Sequence, residues 1–147
     1  MSDEHPRPSD AATSAWIHVM RARDRLLAAI EADLKTAKMP PLSWYDVLWE
    51  LARSQDGRLR PYEIEERTLL AQYNLSRLVD RLEKEGLVRR ETFDEDARGR
   101  WVVITDAGRR LRERMWAVYA KSIEANIGCR LTEREANTIT ALLARFL

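Results

Sequence analysis

The chain has 147 residues, 45% of them hydrophobic and 33% charged, so it is long enough for one folded domain and too apolar for disorder throughout. The formal net charge of +1 excludes a generally basic chain, and any anionic partner must therefore be met by local patches. The single Cys129 excludes an internal disulfide and is consistent with a reducing cytoplasm. No apolar run is long enough to span a membrane, and the polar stretch at residues 1–10 predicts a flexible tail rather than a secretory signal.

Helical periodicity begins after this tail. The apolar stripe of a long first helix runs through Ile17, Met20, Leu27, Ile30 and Leu34. Pro40 and Pro41 are expected to end that helix. In the stretch LSWYDV, Ser43 is expected to cap a second helix as one half of a capping box with Asp46, and this helix is predicted to reach about Arg53.

The middle of the chain predicts two short helices. The stretch GRLR allows a minimal strand, and Pro61 suits the first turn of a brief helix that ends near Arg67. A tight connection leads to another helix from about Ala71 to Glu85, which Gly86 is expected to close in the left-handed conformation.

The last part predicts a hairpin and two more helices. Strands at Leu87–Phe93 and Trp101–Ile104 flank the charged spacer DEDARGR. Thr105 is expected to cap a long helix to about Asn126, and a capping box in LTERE is expected to begin a last helix ending at Phe146.

Two short helices followed at once by a hairpin are typical of a winged helix-turn-helix. We therefore predict a mainly α (α+β) fold, with a winged helix-turn-helix DNA-binding domain at residues 42–105 and a helical dimerisation domain at residues 11–39 and 106–147. The terminal helices carry more apolar surface than a winged helix covers. The residues expected to need a partner are Leu111, Met115, Val118, Ile139, Leu142, Leu143 and Phe146.

The second of the short helices has two different faces. One narrow sector holds Leu75, Leu78, Val79 and Leu82. The opposite sector and its shoulders hold Gln72, Tyr73, Asn74, Ser76, Arg77, Asp80, Arg81 and Lys84. Amides, hydroxyls and guanidinium groups bond base edges and phosphates in a major groove, so this face is a candidate recognition surface. The alternative is an ordinary solvated helix face.

The spacer of the hairpin is the second candidate. A minor groove is narrow and strongly negative, so an extended Arg98 at the hairpin tip fits it better than a helix does. Gly99 allows a sharp turn, Asp96 is close enough to hold the Arg98 guanidinium, and Arg100 adds a cation beside them. The alternative is a solvated turn whose charges serve solubility.

The stretch NLSRLVDRLEKEGLVRRETFDEDARGRWVVITDAGRRL resembles the winged-helix segment of MarR-type transcriptional regulators over about residues 42–114. The matching positions are Leu78, Val79, Leu82, Glu83, Gly86, Leu87, Val88, Arg90, Asp96, Arg98, Thr105 and Gly108. Ile104 stands where leucine is commoner, and Tyr73–Asn74 replaces a small polar pair of many members. That second departure bears on the operator sequence rather than on the mode of binding.

The resemblance implies a homodimer whose outer helices interlock and whose recognition helices enter the major groove of a pseudo-palindromic site. It assigns base and phosphate contacts to Gln72, Tyr73, Asn74, Ser76 and Arg77, which the outward-facing Arg81 extends. It also assigns the minor-groove contact to the wing, with its residues Asp96, Arg98 and Arg100. The expected function is therefore that of a cytoplasmic, sequence-specific transcriptional regulator that binds double-stranded DNA as a ligand-responsive repressor.

The same resemblance implies a cleft between the first, second and fifth helices that binds small aromatic or phenolic molecules. The candidate lining residues are Trp16, Met20, Trp44, Tyr45, Trp49 and Trp116. The alternative is that these aromatic residues pack in the core. Two other functions stay open, namely an architectural DNA binder without an effector and a winged-helix adaptor between proteins.

Chemistry beyond binding is not indicated by the sequence. His5 and His18 do not form a metal site with plausible spacing, and no phosphate-binding glycine loop or nucleophile–base set is present. Cys129 is expected to be an unreactive turn or core cysteine, since reactivity requires a basic environment. We therefore expect a protein that is not an enzyme and uses no cofactor or metal.

Overall fold

The computed structural model describes residues 5–69, 74–92 and 100–147. Its helices and strands are α1 (Asp10–Thr36), α2 (Leu42–Arg53), β1 (Arg58–Leu59), α3 (Pro61–Arg67), α4 (Leu75–Lys84), β2 (Val88–Glu91), β3 (Trp101–Ile104), α5 (Asp106–Ile123) and α6 (Glu133–Leu143). This order confirms the predicted mainly helical winged-helix arrangement. A π-helical turn at Glu124–Gly128 separates α5 from α6, and a short 3-10 turn at Ala144–Phe146 follows α6.

The start of α2 differs from the prediction. Pro41 occupies the N-cap position and Ser43 lies inside the helix, so Ser43 is not the cap. The Leu42 amide instead donates to Glu31 Oε1 of α1 at 2.7 Å. A carboxylate from a neighbouring helix thus satisfies a helix-terminal N–H that the local sequence leaves without a partner. The expected capping partner Asp46 is directed elsewhere, as described below.

The three strands form one antiparallel sheet in the order β1–β3–β2. Val88 pairs with Ile104 and Glu91 with Trp101, so the segment between these strands begins at one end of the sheet. The observed β2 is shorter than the predicted strand, and Phe93 lies outside the described residues. Gly86 has φ +74, which confirms the predicted left-handed end of α4.

The core joins the end of α1 with α2, α3, α4, the sheet and α5. Its fully buried side chains include Val47, Leu48, Leu51, Ile64, Leu82, Val102 and Met115. Thr105 Oγ1 accepts a hydrogen bond from the Gly108 amide at 3.1 Å, which confirms the predicted cap of α5. A Cβ on Gly108 would lie 2.2 Å from the Leu87 carbonyl oxygen, so the glycine allows α5 to approach the end of α4 closely.

The outer helices are much less covered. Residues 10–25 of α1 are all exposed, and none of the described residues of α6 is buried. The sequence predicted that a partner chain would cover Leu111 and Met115. Both are instead buried within this chain and belong to its own core. That part of the prediction is wrong, because α5 turns those two side chains toward α2 and the sheet. No helix of the described residues is long and apolar enough to cross a membrane.

Candidate functional site

Helix α4 presents a polar face to solvent. Ser76, Arg77 and Arg81 are exposed, as are Asp80 and Lys84. On the inner face Val79 and Leu82 are buried, while Leu75 and Leu78 pack against the core. The predicted division of the helix into two faces is therefore confirmed for its described residues.

The beginning of α4 is set by Asn74. Its Oδ1 accepts a hydrogen bond from the Arg77 amide at 3.0 Å, and its backbone is not helical. The helix predicted from about Ala71 therefore begins only at Leu75, because Asn74 caps it rather than continuing it. Ala71, Gln72 and Tyr73 lie outside the described residues.

Arg90 links α4 to the sheet. Its Nη2 lies 2.6 Å from Asp80 Oδ1, and its Nη1 donates to Glu83 Oε1 at 3.1 Å. The Arg90 backbone amide also donates to Glu83 Oε2 at 2.9 Å. These contacts fix the height of β2 relative to α4, and they pair one of the acids on the polar face with a cation. Sequence reasoning missed this role, although Arg90 follows Glu83 by seven residues across a glycine turn.

The base of the hairpin is fixed by an aromatic residue. The guanidinium carbons of Arg58 and Arg60 lie 4.5 and 4.4 Å from the centroid of the Trp101 indole. Arg100 is exposed immediately before β3. Asp96 and Arg98 lie outside the described residues. The strands that lead to the spacer are thus held by cation–π contacts as well as by the sheet.

A cavity of about 640 Å³ lies between α1, α2 and α5. Its lining residues are Arg23, Leu26, Leu27, Ile30, Leu42, Tyr45, Asp46, Trp49, Leu69, Arg112, Trp116, Tyr119 and Ile123. The Tyr45 ring stacks against Trp49 and Trp116 at centroid distances of 6.4 and 6.0 Å. The volume and the aromatic lining suit one small aromatic molecule.

A few polar groups stand in this otherwise apolar lining. The Arg112 guanidinium lies 5.4 Å from the centroid of the Trp49 ring. Burial raises the pKa of the Tyr45 phenol, while a hydrogen bond and the positive charge of Arg112 offset part of that rise. Burial also raises the pKa of Tyr119, and the neighbouring Tyr45 and Asp46 add to the effect. Both phenols are therefore neutral hydrogen-bonding groups at pH 7.

The cavity contains half of the residues predicted for it. Tyr45, Trp49 and Trp116 line it. Trp16 and Met20 are exposed on the uncovered part of α1, and Trp44 packs against the core, so those three predictions do not correspond to the cavity. Sequence reasoning missed Arg112 and Tyr119. Their positions four residues before and three after Trp116 place them on the same helix face, which is the signal that was available.

The remaining candidates carry no chemistry in the described part of the chain. Cys129 is exposed in the turn before α6, with its Sγ 3.6 Å from Glu124 Oε1. Among the described residues, no three His, Cys, Asp or Glu side chains are grouped to hold a metal ion.

The architecture and the exposed helix beside a hairpin define a winged helix-turn-helix protein. The model of the MarR family matches residues 38–99, which span this unit. The segment that contains α4 and the hairpin strands is therefore similar to the MarR family of transcriptional regulators. Members of this family are regulators rather than enzymes, as expected from the sequence. No curated protein sequence matches the chain significantly.

Solved structures share the fold over nearly the full length. A MarR family transcriptional regulator from Streptomyces coelicolor in complex with DNA is 26% identical, with a TM-score of 0.86 over 99% of this chain and 91% of that one. A second regulator of that organism is 26% identical, with a TM-score of 0.77 over 94% of each chain. A Bordetella bronchiseptica protein, whose DNA binding is regulated by 6-hydroxynicotinic acid, is 21% identical, with a TM-score of 0.80 over 95% and 97%.

Proposed function

We propose that the protein binds double-stranded DNA in a sequence-specific way as a homodimer, and that it is a ligand-responsive repressor of a pseudo-palindromic operator. The observation that carries this proposal is the exposed polar face of α4, held beside the hairpin by Arg90. Hydroxyl and guanidinium groups on a helix of ten residues match the contacts that a major groove offers. A protein of this function acts in the cytoplasm.

In this proposal the contacts divide between two grooves. Ser76, Arg77 and Arg81 of α4 read the major groove, together with Gln72, Tyr73 and Asn74 at its start. Arg98, with Asp96 and Arg100, enters the adjacent minor groove. The Streptomyces relative, which shares the fold and is in complex with DNA, supports DNA binding by this fold.

The homodimer follows from the apolar surface of the outer helices. Ile139, Leu142, Leu143 and Phe146 recur at helical spacing on α6 and the turn after it, and all are exposed. A second copy of the chain covers such a face by two-fold symmetry. The same symmetry places two recognition helices about 34–36 Å apart, at half-sites one turn of DNA from each other.

The cavity is the proposed effector site, with residues 11–39 and 106–147 as the dimerisation part and residues 42–105 as the reading part on either side of it. A small aromatic acid can stack on Tyr45 and Trp116 and pair with Arg112. Binding would favour a spacing of the two recognition helices that no longer fits the operator. The Bordetella relative, regulated by 6-hydroxynicotinic acid, supports a response of this kind.

The central test is selection of bound duplexes from a random pool, followed by titration of the best duplex at several salt concentrations. We expect an inverted repeat with half-sites about ten base pairs apart. Arg98→Ala is expected to weaken binding and to lower the salt slope by about one, whereas Ser76→Ala is expected to change the preferred sequence. Arg134→Ala, an exposed arginine of α6, is the matched control. Failure to recover any motif would reject the proposal.

The ligand is tested separately by thermal unfolding with a panel of aromatic acids that includes 6-hydroxynicotinic acid. A ligand at 100 times its Kd stabilises the folded state by about 2.7 kcal/mol. We expect the same compound to quench tryptophan fluorescence and to release the duplex. If no compound in the panel shifts the melting temperature, the protein is an effector-independent DNA binder rather than a sensor of such molecules.

A further inference from the structure

Asp46 is a buried carboxylate that the DNA-binding machinery described above does not use. It lies on α2 with 4% of its surface exposed. Its Oδ2 accepts a hydrogen bond from the backbone amide of Leu69 at 2.7 Å, across 23 residues of sequence. Asp46 and Leu69 are also both part of the cavity wall. The contact therefore joins the cavity to the segment that follows α3.

Burial of a carboxylate is unfavourable unless hydrogen bonds replace the lost water. An ionised acceptor forms a bond to an amide that is stronger than a neutral one. An apolar residue at this position of α2 would satisfy the core at no such penalty, as the neighbouring Val47 and Leu48 do. The hydrogen bond from the Leu69 amide, rather than apolar packing, thus explains why a carboxylate occupies this position of α2.

The held residue is close to the recognition helix. Leu69 comes two residues after the end of α3 at Arg67, and Asn74 is the N-cap of α4. Four residues of sequence separate Leu69 from Asn74. Since a chain of that length reaches at most about 3.6 Å per residue, fixing Leu69 restricts where α4 can begin.

We propose that Asp46 is a positioning residue for DNA binding: from the cavity wall, its carboxylate holds the Leu69 amide and so sets the entry of the chain into the recognition helix. This inference depends on the proposed function. A molecule in the cavity that touches Asp46 or Leu69 acts on the same hydrogen bond. Cavity occupancy thereby reaches each recognition helix within one chain, in addition to any change in the spacing of the dimer.

The hydrogen bond is broken from each side in turn. Asp46→Leu removes the acceptor while keeping a side chain of similar size. Leu69→Pro removes the N–H donor, and the preceding Thr68 already has φ −71 and ψ 143, a conformation that proline tolerates. Each variant is expected to weaken binding to the selected duplex about tenfold, and the double variant is expected to weaken it no further. Asp46→Asn keeps an oxygen acceptor and is expected to stay within about threefold of wild type.

Two controls separate positioning from stability. Glu50 is the other buried carboxylate of α2 and bonds Arg53 at 2.8 Å, an interaction that raises the pKa of Arg53. Glu50→Met is expected to change the melting temperature without changing the Kd for DNA. Leu69→Ala retains the amide and controls for the loss of the side chain in Leu69→Pro.

Amide hydrogen exchange supplies a readout that does not require DNA. Exchange at Leu69 is expected to accelerate in Asp46→Leu and to stay slow in Glu50→Met. If Asp46→Leu does not fold, the comparison of Leu69→Pro with Leu69→Ala decides the matter. Wild-type affinity in Leu69→Pro, or additive losses in the double variant, would overturn the inference while leaving the proposed function intact. Absence of duplex binding by the wild-type protein would reject both.

Discussion

The winged-helix head (α2 to β3) and the outer helices (α1 and α6) differ in how completely a single chain buries their residues. In α2, seven of 12 residues are buried, whereas none of the residues of α6 is buried and α1 buries Ile30 and Leu34 alone among its 27. The head therefore has a closed hydrophobic core, to which α5 contributes Leu111 and Met115. The outer helices have apolar faces that the described residues leave exposed. The head is thus covered within one chain, whereas the apolar faces of the outer helices are the surface that the proposed dimer would bury.

The largest expected effect comes from charging the exposed face of α6. Leu142→Glu places a carboxylate where the proposed dimer buries apolar surface, so we expect monomers by analytical ultracentrifugation. Loss of the second recognition helix is expected to weaken DNA binding about 100-fold or more. Asn137→Glu, on the opposite face of α6, is the control and is expected to remain dimeric. A dimeric Leu142→Glu would contradict the proposed interface.

The next effect concerns the junction where α5 meets the head. In Gly108→Ala the new Cβ would lie 2.2 Å from the Leu87 carbonyl oxygen and 2.8 Å from Ile104 Cγ1. We expect a loss of about 3 kcal/mol in the free energy of unfolding, measured by urea denaturation. In Gly86→Ala the Cβ meets nothing within 4 Å, and the left-handed backbone alone costs about 1 kcal/mol. Equal losses in the two variants would show that close approach at Gly108 is unimportant.

A smaller effect is expected inside the head. Arg90→Ala removes the contacts to Asp80 and Glu83 that hold β2 against α4. Because these groups are partly exposed, we expect a loss of about 1 kcal/mol in stability. The loosened wing is expected to lower affinity for the selected duplex about fivefold. Arg89→Ala alters the preceding residue of the same strand, and we expect the unfolding curve of this variant to overlay that of the wild type.

The smallest effect tests the cap of α6. The Thr132 backbone amide donates a hydrogen bond to Glu135 Oε1 at 2.9 Å, and this bond, with a smaller contribution from the Thr132 side chain, lowers the pKa of Glu135 from its ordinary value of 4.5. A lowered folded-state pKa contributes stability that is present above pH 4.5 and is lost as the pH falls through the folded-state value. Glu135→Gln is therefore expected to reduce the pH dependence of the melting temperature between pH 3 and pH 5. An unchanged slope over that range would mean that the exposed cap does not act on folding.

Local patterns in the sequence were sufficient for most of the secondary structure. Pro61 begins α3, Gly86 ends α4 and Thr105 caps α5, each as predicted, because these signals act within one or two turns. Predictions failed where a distant residue supplied the missing group. Ser43 does not cap α2, since Glu31 of another helix bonds the Leu42 amide.

In the candidate site, too, the features that depend on local sequence were predicted and those that depend on distant residues were not. The polar and apolar faces of α4 follow from helical periodicity, so Ser76, Arg77 and Val79 lie where the sequence placed them. The lining of the cavity does not follow from helical periodicity, because its walls come mainly from α1, α2 and α5, and the sequence does not specify the angles between these helices. Trp16 and Trp116 both lie on helices and were both predicted to line the cavity, yet only Trp116 does so.

The sequence by itself determined which segments are helix or strand and, at Pro61, Gly86 and Thr105, where they begin or end. It also predicted a winged helix-turn-helix at residues 42–105. Tertiary structure alone decided that Leu111 and Met115 complete the head, that α6 is left uncovered, and that Asp46 bonds Leu69. The physical reason is the separation along the chain between the residues that determine each feature. Caps, turns and periodicity depend on neighbours a few residues apart, whereas burial and a hydrogen bond across 23 residues depend on how whole helices pack.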